Sequence, residues 1–192
     1  MNFYQEITLH PESDITVNFL WSKIFPIIHK GFALFKDGNN NCPFAVAFPQ
    51  YAKEGEKIGV GGKLQIFSET KEKLMQLDLK MRLQKLEDYM SVTGIRPVPM
   101  RRVTGYAVYS RKHVEDASRA RRYARRHDID EEETQKKFNA KREMCSLPFI
   151  RMDSGSTGQR FCLFIDKKEV TMPEKGSFGC YGLSNSATVP VI

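Results

Sequence analysis

The 192-residue sequence predicts an α+β protein, and three features carry that prediction. Phe3–Leu9 alternates Phe3, Gln5, Ile7, Leu9 against Tyr4, Glu6, Thr8, and a helical period over Val17, Leu20, Trp21, Ile24 and Ile28 follows at once. Two further strand-like runs, FAVAFP and KLQIFS, precede a second helical stretch. Beyond residue 100, an arginine-rich segment with no Pro or Gly lies among more strand-like runs. With 41% apolar and 11% aromatic residues the chain can build a core, which excludes a disordered basic tail.

In order, the first strand ends at Pro11, and Ser13 or Asp14 is placed to cap the helix that follows. Pro26 falls inside that helix, where a lost backbone bond predicts a kink or split, and Gly31 is its expected stop. The loop DGNNN leads to FAVAFP, and YAKEGEKIGVGG leads to KLQIFS. A helix is predicted over about 71–89, with Leu74, Leu77, Met81 and Leu86 on or near one face, and TGIRPVPM closes the half as strand or linker. This βαββαβ order is the ferredoxin-like arrangement shared by RNA-recognition motifs. No aromatic RNP1-type pattern marks its inner strands, so stacking of single-stranded bases on the sheet is not expected. The expected division is a ferredoxin-like domain at 1–98 and a C-terminal α+β RNA-binding domain at 99–192.

That second half opens with Arg101 and Arg102, passes a short strand (TGYAVYS), and enters the arginine helix, predicted over about 112–127. At about 100° per residue, Arg119, Arg121, Arg122, Arg125 and Arg126 share an arc of roughly 160°. Ala117, Ala120 and Ala124 gather within roughly 60° opposite them. Small residues let the helix lie close to the protein while forked, permanently charged guanidinium groups face outward, a form suited to phosphate. A solvated charged face is the plainer alternative, but one-signed charge over two turns repels itself without a polyanion. The net charge of +7 is concentrated here: residues 101–192 hold 18 Lys/Arg against 12 Asp/Glu, and the first half is nearly balanced. DIDEEETQKKF then reads as a separate helix capped by Asp128 or Asp130, and LPFIRM and RFCLFID as strands joined by DSGSTGQ. The Gly/Ser-rich remainder holds short strands.

Four scattered cysteines (Cys42, Cys145, Cys162, Cys180) show no CxxC spacing and no histidine cluster beside them, so reduced thiols and no zinc site are expected. The carboxylates form no spaced set for two-metal chemistry, so no metal and no cofactor are expected. No signal-like start and no apolar run near 18 residues occurs, which predicts a cytoplasmic protein without a membrane partner. His29, near the end of the first helix, can serve as base or acid, or simply pack or cap. The loop Ser154-Gly155-Ser156-Thr157-Gly158-Gln159 offers hydroxyls, an amide and backbone N–H groups for phosphate or ribose, although polar loops of this kind also merely join hairpins. Tyr181 lies among glycines, where its phenol can donate to a reacting oxygen or fill a core edge.

Several stretches occur together and in order: FYQEITLHP, the histidine at 29, the RRxxRRHD helix, LPFxxxxSxSTGQxFxLFI, and a terminal YGLS followed by VP. In these the chain resembles the type I-F CRISPR repeat-processing endoribonucleases, the Csy-type subunit, over nearly its whole length. The resemblance implies a metal-independent endoribonuclease whose arginine-rich helix enters the major groove of the CRISPR repeat stem-loop. Precursor CRISPR RNA would be cut at the 3′ base of the hairpin by 2′-OH attack, leaving a 2′,3′-cyclic phosphate and a 5′-OH. It implies His29 as proton abstractor, Ser154 as the holder of the ribose, and Tyr181 as a third catalytic position. Ser156 and Thr157 match backbone contacts, Gln159 lies in the same loop, and Phe161 matches an aromatic stacked at the stem base. Arg121, Arg122, Arg125, Arg126 and His127 match the groove-facing helix, with Arg119, Arg101 and Arg102 as further RNA contacts. It also implies a free monomer that keeps its product and joins the type I-F surveillance complex. The chain departs from the family where an Arg-x-Gln pair reads the lowest stem bases: Gly105 and Ala107 stand there, which leaves readout to Arg102, Arg111 or Lys112, or weakens it. Two rival expectations stand beside the enzyme: a module that binds an RNA hairpin without cutting it, and a general RNA-binding protein that uses the basic helix.

Overall fold

In the computed structural model the described residues are 1–52, 58–113, 117–134, 136, 146–153 and 158–192. The side chains of residues 117–120 and 122 are also outside that set. The elements are β1 (Phe3–Leu9), α1 (Val17–Ala33), β2 (Asn41–Cys42), β3 (Phe44–Ala47), β4 (Lys63–Ser68), α2 (Lys71–Leu77), α3 (Leu79–Leu83), β5 (Met90–Val92) and β6 (Arg96–Pro97), then β7 (Gly105–Lys112), α4 (Ala117–His127), β8 (Phe149–Asp153), β9 (Arg160–Val170), β10 (Phe178–Gly179) and β11 (Val189–Val191). The fold is α+β. Among the described residues no helix is long and apolar enough to cross a membrane.

The first sheet has the order β3-β4-β1-β5, with β6 pairing the start of β1, and every neighbour is antiparallel. Strand β1 is central, so its alternation buries Gln5, Ile7 and Leu9 while β4 and β5 take its backbone groups. The apolar run Phe44–Ala47 is buried at every position, as an unbroken apolar strand demands. The stripe Leu20, Trp21, Ile24, Phe25, Ile28 and Phe32 brings α1 onto it: Phe32 stacks on Phe44 with centroids 4.8 Å apart, and Trp21 and Phe25 meet Phe48. The second sheet, β11-β7-β9-β8, is also antiparallel, and its inner face contributes Ala107, Tyr109, Ile150, Met152, Leu163 and Ile165 to the same continuous core. Two phenols lock the halves: Tyr109 donates to the Phe48 carbonyl at 3.1 Å and Tyr51 to the Ile165 carbonyl at 2.8 Å.

Local expectations change in five places. Residues Glu12–Ile15 close a turn through Ile15 N–H and the Glu12 carbonyl, so Ser13 and Asp14 cannot cap; Thr16 does, accepting from Phe19 N–H at 3.3 Å. Helix α1 runs unbroken through Pro26, because the flanking Phe25 and Ile28 are fully buried and each is worth about 1.5–3 kcal/mol, enough to offset a lost helical bond. Gly31 is no stop: it admits α2 and α3, since a Cβ there would lie 3.1 Å from Leu77 Cδ1 and 3.3 Å from Arg82 Cδ. The second helix breaks at Asp78, which adopts a left-handed φ of 43° and then caps α3 by accepting from Met81 N–H. That break shifts the period, so Leu79 and Leu83 are buried and Met81 is 67% exposed. Finally, β7 extends through Lys112, so the arginine helix begins at Ala117, not near 112.

Thr16→Ala should cost about 1 kcal/mol in chemical unfolding, while Ser13→Ala and Asp14→Ala should leave the midpoint unchanged. Equal losses from all three would mean the helix starts earlier than Val17.

Candidate functional site

His29 projects from the last two turns of α1, beside the buried Ile28, and is half-buried. What it meets is set by the chain's end. Strand β10 pairs with β2 (Phe178 opposite Cys42, Gly179 opposite Asn41). A tight turn follows, closed by Gly182 N–H donating to the Gly179 carbonyl at 2.8 Å, with Cys180 and Tyr181 at its centre. Gly182 takes φ +70°, and a Cβ there would lie 2.6 Å from Val46 Cγ1, so only glycine fits. Its carbonyl accepts from Val46 N–H at 3.0 Å, and Ser184 N–H donates to the Tyr109 carbonyl at 2.9 Å. The turn is therefore tied to β3 on one side and β7 on the other.

This docking brings two groups onto His29. The Cys180 carbonyl lies 2.9 Å from Nδ1, and a carbonyl can only accept, so Nδ1 carries the proton. In the neutral ring Nε2 is then a bare acceptor. Tyr181 stacks flat on the imidazole, centroids 4.1 Å apart and planes 6° from parallel, which restrains the ring's rotation. The Cys180 thiol lies 3.2 Å from that of Cys42; burial, followed by this neighbour, pushes the Cys42 thiol up to about 12, so it is protonated at neutral pH.

The aromatic row continues. Arg111 Cζ lies 5.2 Å from the Tyr181 centroid and 5.4 Å from that of Phe161, which is half-buried opposite Met152. Pairing of Asp153 with Arg160 closes the β8–β9 hairpin next to Phe161. Ser154, Ser156 and Thr157 lie outside the described residues, and Gln159 is exposed at the hairpin's base.

On α4, Ala124 is 1% exposed while Arg121, Arg125, Arg126 and His127 are exposed, the two-sided distribution that the spacing predicts. The helix ends where Asp128 turns left-handed (φ 53°) and Ile129 N–H reaches the Ala124 carbonyl, a Schellman-type stop. Asp130 caps the next helical turn, residues 131–134, by accepting from Glu133 N–H. Arg125 pairs with Glu131 at 3.6 Å across solvent, a contact of little energetic weight. The helix positions of Arg119 and Arg122 are described, but their side chains are not.

The fold thus gathers His29, Tyr181 and Phe161. Arg101 and Arg102 form an exposed 3-10 turn beyond Gly105, which is about 20 Å along β7 from Arg111, so they do not reach the His29 cluster. Ala107 is fully buried and offers no side chain to a ligand. Sequence reading passed over the Cys180 carbonyl, because a backbone acceptor has no residue signature. Arg111, which the sequence offered as one candidate for base readout, lies in the i, i+2 row of Ala107 and Tyr109 on β7. Among the described residues no group of three or more His, Cys, Asp or Glu is placed to hold a metal.

The family model described as "CRISPR-associated protein (Cas_Csy4)" matches residues 4–192. A "CRISPR-associated endonuclease Cas6/Csy4" of Pseudomonas aeruginosa (strain UCBPP-PA14) is 31% identical over 196 residues, covering 99% of each chain. A protein with the same description from Escherichia coli (strain UTI89 / UPEC) is 28% identical over 195 residues, again covering 99% of each.

Gly182→Ala should destabilise the protein by about 1–3 kcal/mol, through a strained φ and the Val46 clash. Denaturant unfolding measures this; a neutral result would mean the turn is not held as described.

Proposed function

This chain belongs to the CRISPR-associated Cas_Csy4 family, and from that membership we propose that it is a metal-independent endoribonuclease for the CRISPR repeat stem-loop. In this proposal it cuts precursor CRISPR RNA at the 3′ base of the hairpin and keeps the product. The observation that carries the proposal is the tie from His29 Nδ1–H to the Cys180 carbonyl. In the neutral ring this makes Nε2 the acceptor, aimed by the Tyr181 stack, which is what abstraction of a hydroxyl proton requires.

The reaction then proceeds as follows. Nε2 takes the proton of the 2′-OH, the 2′-oxygen bonds to the adjacent phosphorus, and the bond from phosphorus to the 5′-oxygen breaks. The 5′-oxygen takes a proton from solvent water as it leaves, and a 2′,3′-cyclic phosphate remains. The nucleophile is part of the substrate, so a base and a positioned ribose suffice, and no metal enters. Ser154 holds that ribose and Ser156 and Thr157 contact the backbone; Phe161 carries the end of the stem.

Arg121, Arg125, Arg126 and His127 of α4, with Arg119 and Arg122, bind stem phosphates in the major groove. These contacts provide grip and register, while Arg101 and Arg102 add charge further along the duplex. In architecture we assign residues 1–98 to a ferredoxin-like domain, supported by the strand order β3-β4-β1-β5, and 99–192 to the RNA-binding domain. The free protein is a monomer, and with its hairpin it joins the type I-F surveillance complex in the cytoplasm.

Incubated in EDTA, the protein should cleave a repeat RNA, and replacing the upstream 2′-OH by hydrogen should abolish the cut. Binding without cleavage would sink the proposal in favour of a non-cutting hairpin binder. His29→Ala should slow single-turnover cleavage by about 10²–10⁴-fold while hairpin affinity stays within a few-fold.

Arg126→Ala should weaken binding and lower the slope of log affinity against log salt by about one. An unchanged slope would place Arg126 in solvent in the complex.

A further inference from the structure

We propose that Cys42 and Cys180 form an oxidisable pair that a peroxide closes into a disulfide, and that closure slows cleavage by displacing the carbonyl that holds His29. The effect on cleavage rests on the endoribonuclease reading above; closure of the pair does not. The two sulfurs lie 3.2 Å apart across 138 positions of chain. The β2–β10 ladder builds this approach: Phe178 stands opposite Cys42, and Cys180 follows Phe178 by two residues, the spacing that returns to the same side of an extended chain. Both thiols are free, Cys42 buried and Cys180 half-buried. Neither sulfur has a part in the proton transfer assigned to His29.

The asymmetry of the pair sets the order of events. Cys180 is the sulfur that solvent reaches, so it meets the oxidant first. Burial, with the neighbouring sulfur, keeps Cys42 protonated at neutral pH, and its one S–H reaches either the Phe32 carbonyl or the Cys180 sulfur, each at 3.2 Å. Cys180 takes an oxygen from hydrogen peroxide, giving a sulfenic acid and a water. The Cys42 sulfur then bonds to the Cys180 sulfur, the sulfenic S–O bond breaks, and the Cys42 proton leaves with the hydroxyl as a second water. The electron pair lost by the thiols reduces one peroxide. A thiol reductant reverses the step by exchange.

A disulfide holds its sulfurs about 2 Å apart, so closure draws this pair together by about 1 Å. Cys42 belongs to the core and Cys180 lies at the centre of a turn, so most of that movement falls on the turn. The Cys180 carbonyl is the group 2.9 Å from His29 Nδ1, and the next residue is Tyr181, stacked on the imidazole. A shift there lengthens the bond that fixes the tautomer and slides the ring that aims Nε2. Misplacing a reacting group by about 1 Å slows a reaction on the order of 100-fold. Helix α4 is not part of the turn, so the grip on the stem persists, and the oxidised protein holds its hairpin without cutting it.

The test treats the full chain with hydrogen peroxide, blocks remaining thiols by alkylation, and reads two things: the peptide map, and single-turnover cleavage of a repeat hairpin RNA. A Cys42–Cys180 cross-linked peptide should appear in the wild type and be absent from Cys42→Ser. Wild-type cleavage should slow by about tenfold or more, with hairpin affinity within about threefold, and a dithiol reductant should restore the rate. Cys42→Ser should cut at the wild-type rate before treatment and keep that rate after it. Should that variant fail to fold by circular dichroism, Cys42→Ala takes its place with the same expectation. No cross-link in treated wild type would overturn the proposal, as would a cross-link that leaves cleavage unchanged. Equal slowing in Cys42→Ser would do the same, because the damage would then lie elsewhere. If untreated wild type does not cut, the endoribonuclease reading fails and the effect on cleavage with it, while the peptide map still decides whether the pair closes.

Discussion

A backbone carbonyl, that of Cys180, decides which nitrogen of His29 carries its proton. With Nδ1 committed to donating, the ring can accept only through Nε2, and the flat contact with Tyr181 restricts the direction in which it does so. Everything that holds the Cys180–Tyr181 turn therefore bears on the imidazole. The β2–β10 ladder sets where the turn begins, the bond from Val46 to the Gly182 carbonyl sets its depth, and the link from Ser184 to Tyr109 anchors its exit to the second sheet. None of these groups is chemically reactive. Their function is to make a histidine on one half of the chain depend on a turn near the end of the other.

The arginines of this protein stand in two different surroundings. The arginines described on α4 are exposed and point away from a helix whose Ala124 is buried, so their field extends into solvent and weakens with salt. Arg111 differs: it is half-buried on the inner face of β7 and bounded by two rings, in surroundings where a charge is screened less. The two tyrosine bonds between the halves, from Tyr109 and Tyr51, keep these surfaces in fixed relation.

Much of this was legible in the chain itself. Alternation over Phe3–Leu9 and the apolar runs at 44–47 and 63–68 predicted strands that form, because burial on a pleated surface imposes a period of two. The same reasoning placed α1 and put Ala124 against the protein. It misjudged positions where a short-range signal competed with packing. Pro26 stays inside a helix because its neighbours are core; Gly31 is a point of close helix approach; and Asp78 breaks a helix that periodicity alone would continue. Ala107, set by the sequence where a base-reading side chain was expected, is buried, so its side chain packs against the core.

What the sequence by itself determined is the inventory: an α+β chain of the Cas_Csy4 family, a one-signed arginine segment, and the residue types His29, Tyr181 and Phe161. These follow from local periodicity, charge and motif, which need no knowledge of distant contacts. Only the tertiary structure decided that the Cys180 carbonyl meets Nδ1 across 151 positions of chain, and that Arg111 stands between Tyr181 and Phe161. A backbone acceptor has no signature in the letters. The partners of an inward-facing side chain are chosen by sheet pairing and core packing, which bring distant segments together and which no local pattern encodes.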